Sequence, residues 1–421
     1  MHQSTVSTST WSDRWGLIDI GSAGLVVVLV ILTLVVGVAV GGLVYGLFTP
    51  GRVSAAAKAG RKRGWLDQAR LDECAILIAT RNGSKTLRST IEHAGANQVP
   101  VYVLSDGSDD DTVEVARAAG ADVVDYHINR GKPATLHAGS ADLDLLDRYR
   151  YLTIIDDDTH LEPDFVERSL EYFDTETAIV VGRTCTLWPR SLRWNVLVAY
   201  RAFAYWFYQL TVRTPQSWAN ALNCISGSNS TYRTDVLKEV LVDTTPYIVD
   251  DTFWVLETHR LRLGRIRYGP NAWAWIQDPT NVKDFYKQNL RWLWGTNQGI
   301  IGHRIGASIM HGRPTVFEVL YALLIAHWVT YLLGLPILVF VALTQGIAIT
   351  LYLILGRWVV FYLMLIIASI RLRHFHLILF APALIVVDLL FRFVWIHAVV
   401  KTVRQPTVEA CKWDSPARVA S

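Results

Sequence analysis

The sequence predicts an α/β domain with a mostly parallel sheet, carried between hydrophobic helices at the two ends of the chain. Three observations lead there. Long apolar runs occupy residues 23–48 and most of the chain beyond residue 316. From Cys74 to about Gly269, short apolar runs alternate with amphipathic ones, the pattern of strands covered by helices on both faces. Polar clusters follow three of those runs: Thr80-Arg81-Asn82-Gly83, Ser105-Asp106-Gly107-Ser108 and Asp156-Asp157-Asp158. In open parallel sheets, ligands bind beyond the carboxyl ends of the strands.

The run at 23–48 has no charged residue and exceeds the roughly 20 apolar residues of a spanning helix. It is too long for a signal peptide, and no small-residue cleavage site follows it. Arg52, Lys58, Arg61, Lys62, Arg63 and Arg70 come after it, against Arg14 alone before it. The excess of cations predicts a cytosolic middle of the chain. Three more apolar stretches, 316–343, 347–370 and 375–400, suggest four spans in all. Arg357, Asp388 and Arg392 interrupt them, and Asp388 and Arg392 sit one helical turn apart, which suits an internal ion pair.

At 421 residues the chain exceeds one ordinary compact domain. The expected division is an N-terminal segment with its helix (1–50), a basic linker (51–73), a catalytic domain with interfacial helices (74–311), C-terminal helices (312–400) and a tail (401–421). Strands are expected at 74–79, 101–104, 122–124, 151–155 and 179–181, and helices at 84–94, 112–119, 133–146 and 163–173. The aromatic-rich segment 191–212, with Arg193 and Arg201, reads as an amphipathic interfacial helix, with a buried core helix as the alternative. A net charge of +3 without a basic stripe argues against nucleic acid as a partner. Cys74, Cys185, Cys224 and Cys411 lack metal-ligand spacing and read as reduced thiols.

Three adjacent carboxylates at a strand end repel one another unless a cation or hydrogen bonds hold them. Asp156 and Asp158 point the same way from an extended segment, so they could share a hard divalent ion, Mn²⁺ or Mg²⁺, with substrate phosphates. A turn followed by a helix cap is the other reading of the triplet. Asp106 suits either a base or ribose contact or a turn. Lys132, at the start of the expected 133–146 helix, could face phosphate together with the helix N-terminus. Asp250-Asp251, read alone, could cap the helix expected after them, where a carboxylate is favourable.

Together these residues resemble the pattern of membrane family 2 glycosyltransferases. Thr80-Arg81-Asn82, Asp106-Gly107, Gly131-Lys132, Asp156-Asp157-Asp158, Ser226-Gly227-Ser228, Asp250-Asp251 and Gln288-Asn289-Leu290-Arg291-Trp292 occur in that order. The likeness is greatest to hyaluronan synthases and related cellulose- and chitin-type processive synthases. The resemblance implies a GT-A (Rossmann-like) glycosyltransferase domain using a UDP-sugar, plus α-helical transmembrane segments. Asp106 and Lys132 would contact the nucleotide part, and Asp156 and Asp158 the metal. Asp251 would be the general base. Thr80, Asn82, Asp157, Gly227, Ser228 and Asp250 would line the substrate site. Gln288, Arg291 and Trp292 would close it, with Arg291 on the diphosphate and Trp292 against the acceptor sugar.

The resulting expectation is an inverting, metal-dependent enzyme at the cytosolic membrane face, in contact with membrane lipids. It would extend a polysaccharide from a UDP-sugar and export the chain. Transfer of one sugar to a lipid-linked or cell-surface acceptor is the first rival. A catalytically silent transporter or scaffold is the second, and it predicts lost carboxylates or a lost Gln-x-x-Arg-Trp segment, both of which are present.

Overall fold

The computed structural model describes residues 68–312 and 314–407. The predicted span at 23–48 and Cys411 lie outside them. Strands β1 (Cys74–Thr80), β2 (Val101–Asp106), β3 (Asp122–Tyr126) and β4 (Tyr151–Asp156) are laid side by side in parallel. Helices α1 (Leu87–Gly95), α2 (Thr112–Ala118) and α3 (Lys132–Asp142) connect them. Because successive strand residues face opposite ways, Ile76 and Ile78 enter one core with Leu87 and Ile91, and Leu77 enters the other with Leu104 and Leu152. Burial on both faces explains the continuous apolar runs.

The sheet is mixed rather than mostly parallel. Among the described residues, eight strands run in the order β3-β2-β1-β4-β7-β6-β8-β5. β7 (Ser230–Arg233) inserts antiparallel between β4 and β6 (Thr177–Thr186). β8 (Arg265–Ile276) pairs parallel with β6, with a register slip after Gly182, and β5 (Thr159–Leu161) pairs antiparallel with β8 at the edge. The polar Ser230 and Thr231 of β7 give no apolar-run signal. The expected 133–146 helix breaks after Asp142, because Asp144 takes a left-handed φ of 53° before a second short turn. The expected 163–173 helix is α4 (Phe165–Leu170).

The aromatic segment forms α5 (Val196–Tyr208), capped by Asn195, and continues into a π-helical turn at Gln209–Arg213. Ala199 and Trp206 pack against Leu365, Leu377 and Phe380 of the C-terminal helices. Next come α6 (Asp250–Leu261) and α7 (Val282–Gly302). The predicted 316–343 run is broken into α8 (Val316–Leu332) and α9 (Gly334–Gln345), bent by 64°. Pro336, in the first turn of α9, has no N–H and excludes the carbonyl one turn earlier, so the helix cannot run on. α10 (Ile347–Arg371) and the stretch Phe375–Arg404, which contains α11 (Ala381–Arg404), are long and apolar enough to cross a membrane. Counting the bent pair as one span gives up to three among the described residues. The Asp388–Arg392 pair forms, Nε to Oδ2 at 3.3 Å, joined by Arg357 at 3.7 Å and by the Tyr331 hydroxyl, which donates to Oδ1 at 2.6 Å. Cys74, Cys185 and Cys224 are free thiols.

Candidate active site

A cavity of about 2350 Å³ opens at the carboxyl ends of β1, β2 and β4 and continues between α5, α7 and the C-terminal helices. Thirteen of the fourteen candidate site residues line it, and Asn82 is the exception. Asn82 works in the loop behind: its Oδ1 accepts from the Asp109 amide at 3.0 Å, and its own amide donates to Ser108 Oγ at 3.1 Å.

The strand ends hold side chains of two kinds. Asp157 is buried and its Oδ2 accepts the Thr80 hydroxyl, so these two brace the turn after β4 from within the cavity wall. Asp106 is also buried; its two carboxylate oxygens accept from the amides of Arg130 at 2.7 Å and Gly131 at 3.0 Å. That clamp fixes the loop from which Lys132 begins α3. Asp156 and Asp158 are half-buried and front the cavity. Lys132 Nζ donates to Asp156 Oδ1 at 2.6 Å and to the Gly227 carbonyl at 3.4 Å.

Opposite them, Asp250 and Asp251 form the first turn of α6, where a helix N-terminus favours negative charge. Asp251 Oδ2 accepts the Gly227 amide at 2.9 Å. A Cβ at Gly227 would lie 3.2 Å from Asp251 Oδ2 and 3.4 Å from Lys132 Nζ, so only glycine keeps this approach free of crowding. Ser228 is buried beside it, its hydroxyl sharing a hydrogen bond with that of Ser226 at 2.7 Å. Burial, then the neighbouring Asp250 charge, pushes the Asp251 carboxyl up to about 7, while Lys132 pulls against them. Burial disfavours the Lys132 cation, but Asp156 and Asp250 more than offset it and hold the amine protonated. The result is a carboxyl that changes protonation state near neutral pH, beside a fixed cation.

The Gln288–Trp292 segment lies on α7. A Cβ at Gly295 would come within 2.5 Å of Val249 Cγ2, so the glycine lets α7 approach the start of α6 closely. Arg291 lines the cavity. Gln288 and Trp292 are both held by Arg201 of α5, whose Nη2 donates to Gln288 Oε1 at 2.7 Å and whose guanidinium lies 4.7 Å from the Trp292 ring centre. Arg201 in turn faces Asp278 across 3.7 Å, and both side chains are almost wholly buried. Burial raises the Asp278 carboxyl to about 6, against the pull of Arg201. Asp278 gave no signal in the sequence; for Arg201 the signal was a cation within an aromatic helix.

Arg201→Met should therefore lower stability by about 3–5 kcal/mol, since it strands a buried carboxylate. Adding Asp278→Leu should recover most of that loss. Thermal melting of the two variants checks this, and equal losses in both would count against the pair.

Among the described residues, no three His, Cys, Asp or Glu side chains group as a ready-made cation cage. Asp156 and Asp158 supply two carboxylates on one cavity wall, and a divalent ion at a diphosphate draws its other ligands from phosphate and water. The donor set fits Mn²⁺ or Mg²⁺ on those terms.

Residues 72–295 match the sequence model of the glycosyltransferase-like family 2. The chain is 26% identical over 236 residues to a poly-beta-1,6-N-acetyl-D-glucosamine synthase of Staphylococcus epidermidis, covering 54% of this chain and 55% of that protein. Against the enzyme of the same name from Staphylococcus aureus it is 26% identical over 241 residues, covering 55% and 56%. The chain thus spans about half the length of the curated relatives it matches. A mannosyltransferase of Pyrobaculum calidifontis, solved with GDP-Man and Mn²⁺, superposes with a TM-score of 0.53 at 15% identity, covering 88% of this chain and 99% of that one. That likeness speaks to the fold. With the match taking in more than half its length, the chain belongs to glycosyltransferase-like family 2 and is a glycosyltransferase of GT-A fold.

Proposed function

We propose that the protein transfers a sugar, with inversion, from a UDP-sugar to a hydroxyl of a growing polysaccharide at the cytosolic membrane face, and that the chain leaves along the helical end of the cavity. The observation that carries this reading is the continuity of one cavity from Asp156 and Asp251 to Tyr331, Arg357 and Trp395 of the C-terminal helices. Likeness to the staphylococcal synthases favours polymer over single transfer.

In this reading Asp251 takes the proton of the acceptor hydroxyl as its oxygen bonds the anomeric carbon and the bond to the diphosphate breaks. Lys132 and Arg291 face the charge that develops on the leaving diphosphate. A divalent ion on Asp156 and Asp158 would neutralise part of that charge. Asp106, Thr80 and Asp157 hold the strand-end loops in position behind these groups. Gln288 steadies the wall on which Trp292 stacks against the acceptor sugar, Asp250 tunes Asp251, and Gly227 and Ser228 shape the acceptor side.

A single transfer to a lipid-linked acceptor is the second reading. It is favoured by Tyr352 and Val360, which line the cavity yet stay exposed on α10, so a lipid tail could enter there.

The test is UDP release by purified protein over a panel of UDP-sugars that includes UDP-N-acetylglucosamine, with sizing of the product. Release with one or two donors and a long product is expected. Chelation with EDTA should stop release, and Mn²⁺ or Mg²⁺ should restore it. A short or lipid-linked product would favour the second reading, and release unaffected by EDTA would remove the metal.

A further inference from the structure

Arg213 closes the π-helical turn after α5 and lines the same cavity, yet it has no part in the chemistry above. Its side chain is more than nine-tenths buried. Its Nε and Nη1 have no hydrogen-bond acceptor among the described residues, and no carboxylate there forms an ion pair with it. Its guanidinium lies 5.7 and 5.9 Å from the ring centres of Tyr208 and Tyr268.

A buried cation without an anion is costly unless something else supplies one. The turn that carries it is built to stay put. Gln209 accepts the Thr184 amide and donates to the Thr184 carbonyl, both at 2.8 Å, which ties the turn to β6. Thr214 Oγ1 donates to the Gln209 carbonyl at 2.7 Å. π-Helical turns of this kind gather at functional sites. The cavity-lining Cys224 lies within electrostatic reach of both Asp251 and Arg213.

We infer that Arg213 is a subsite for an oxyanion, carboxylate or phosphate, carried by the acceptor. A guanidinium that lines the cavity, with Nε and Nη1 lacking acceptors, suits such a group in charge and in hydrogen bonding. The inference rests on the transferase reading of the cavity and deepens it by giving the acceptor a charge. The oxyanion could sit on an acidic sugar or on a polyprenyl phosphate.

The experiment uses the full chain in detergent, saturated with UDP and Mn²⁺, and follows melting with added glucuronate, undecaprenyl phosphate or neutral glucose. One of the two anions should stabilise the wild type beyond glucose, and which one does so identifies the source. Arg213→Met should weaken that anion at least tenfold while its UDP affinity stays unchanged. Arg213→Lys should retain part of the effect. Without ligand, Arg213→Met should melt at or above the wild type, because an uncompensated buried charge has been removed. The inference is overturned if neither anion exceeds glucose, if Arg213→Met binds the anion as well as the wild type does, or if it melts well below it. A wild type that fails to bind UDP would count against the donor reading instead, and the anion shifts would still decide the fate of Arg213.

Discussion

Asp251→Asn is expected to reduce sugar transfer by about 10²- to 10⁴-fold, the range for loss of a positioned general base. The substitution keeps the shape of the side chain, and an amide oxygen can still accept the Gly227 N–H that Asp251 Oδ2 accepts at 2.9 Å. It also removes a carboxyl whose ionisation burial opposes. Folding should therefore be intact, with melting at or above that of the wild type. UDP affinity should be unchanged, because the proposed reading puts the diphosphate against Lys132, Asp156 and Asp158. Initial rates of UDP release, set beside melting and UDP titration, test all three points. Full turnover in Asp251→Asn would mean that another group takes the proton.

The second large effect is on pH dependence. If ionised Asp251 is the active form, activity should rise with pH through about 7, where burial and Asp250 put its titration. Lys132 favours the ionised form, so Lys132→Met should move the rising limb to higher pH. A shift of one unit alone lowers the rate below the limb about tenfold. Asp156 also loses its 2.6 Å partner, so the plateau should fall too. Asp250 acts with the opposite sign, and Asp250→Asn should move the limb to lower pH. Rate profiles of the two variants would refute the assignment if both limbs moved the same way or neither moved.

The half of the fold built on β1 to β4 was legible, because β1, β2 and β4 are buried on both faces and read as apolar runs. β3, an edge strand in which only Tyr126 is buried, carries the pair Val123-Val124. The other half was not. β7 consists of Ser230-Thr231-Tyr232-Arg233, and β8 opens by alternating Arg265, Ile266, Arg267 and Tyr268; neither makes an apolar block. Their place in the sheet comes from partners far away in the chain.

The site shows the same division. Thirteen of the fourteen residues chosen by motif line one cavity, yet the sequence could not separate those that face it from those that brace it. Asp156 and Asp157 are neighbours in a row of identical residues, and only the fold sends one to Lys132 and the other to Thr80. Arg201, Asp278 and Arg213 were harder still, because their meaning lies in what each one meets, or fails to meet, across the cavity.

The helix that carries Arg291 and Trp292 is clamped from two sides. Gly295 seats it on the start of α6, while Leu290 and Trp294 pack on Val394 and Ala398 of α11. Tyr286 is hydrogen-bonded to His397 at 2.6 Å, and Trp294 donates to the Gln405 carbonyl at 3.1 Å. The cavity wall that holds Arg291 and Trp292 is thus mechanically continuous with an apolar helix long enough to cross a bilayer. A spanning helix longer than the local hydrocarbon thickness can meet the mismatch by tilting, at modest cost, against its packing with neighbouring helices. Any change in that tilt would be carried by α7 to Arg291 as a lever carries a displacement, which makes the surrounding lipid, through its thickness alone, a setting on the geometry of sugar transfer.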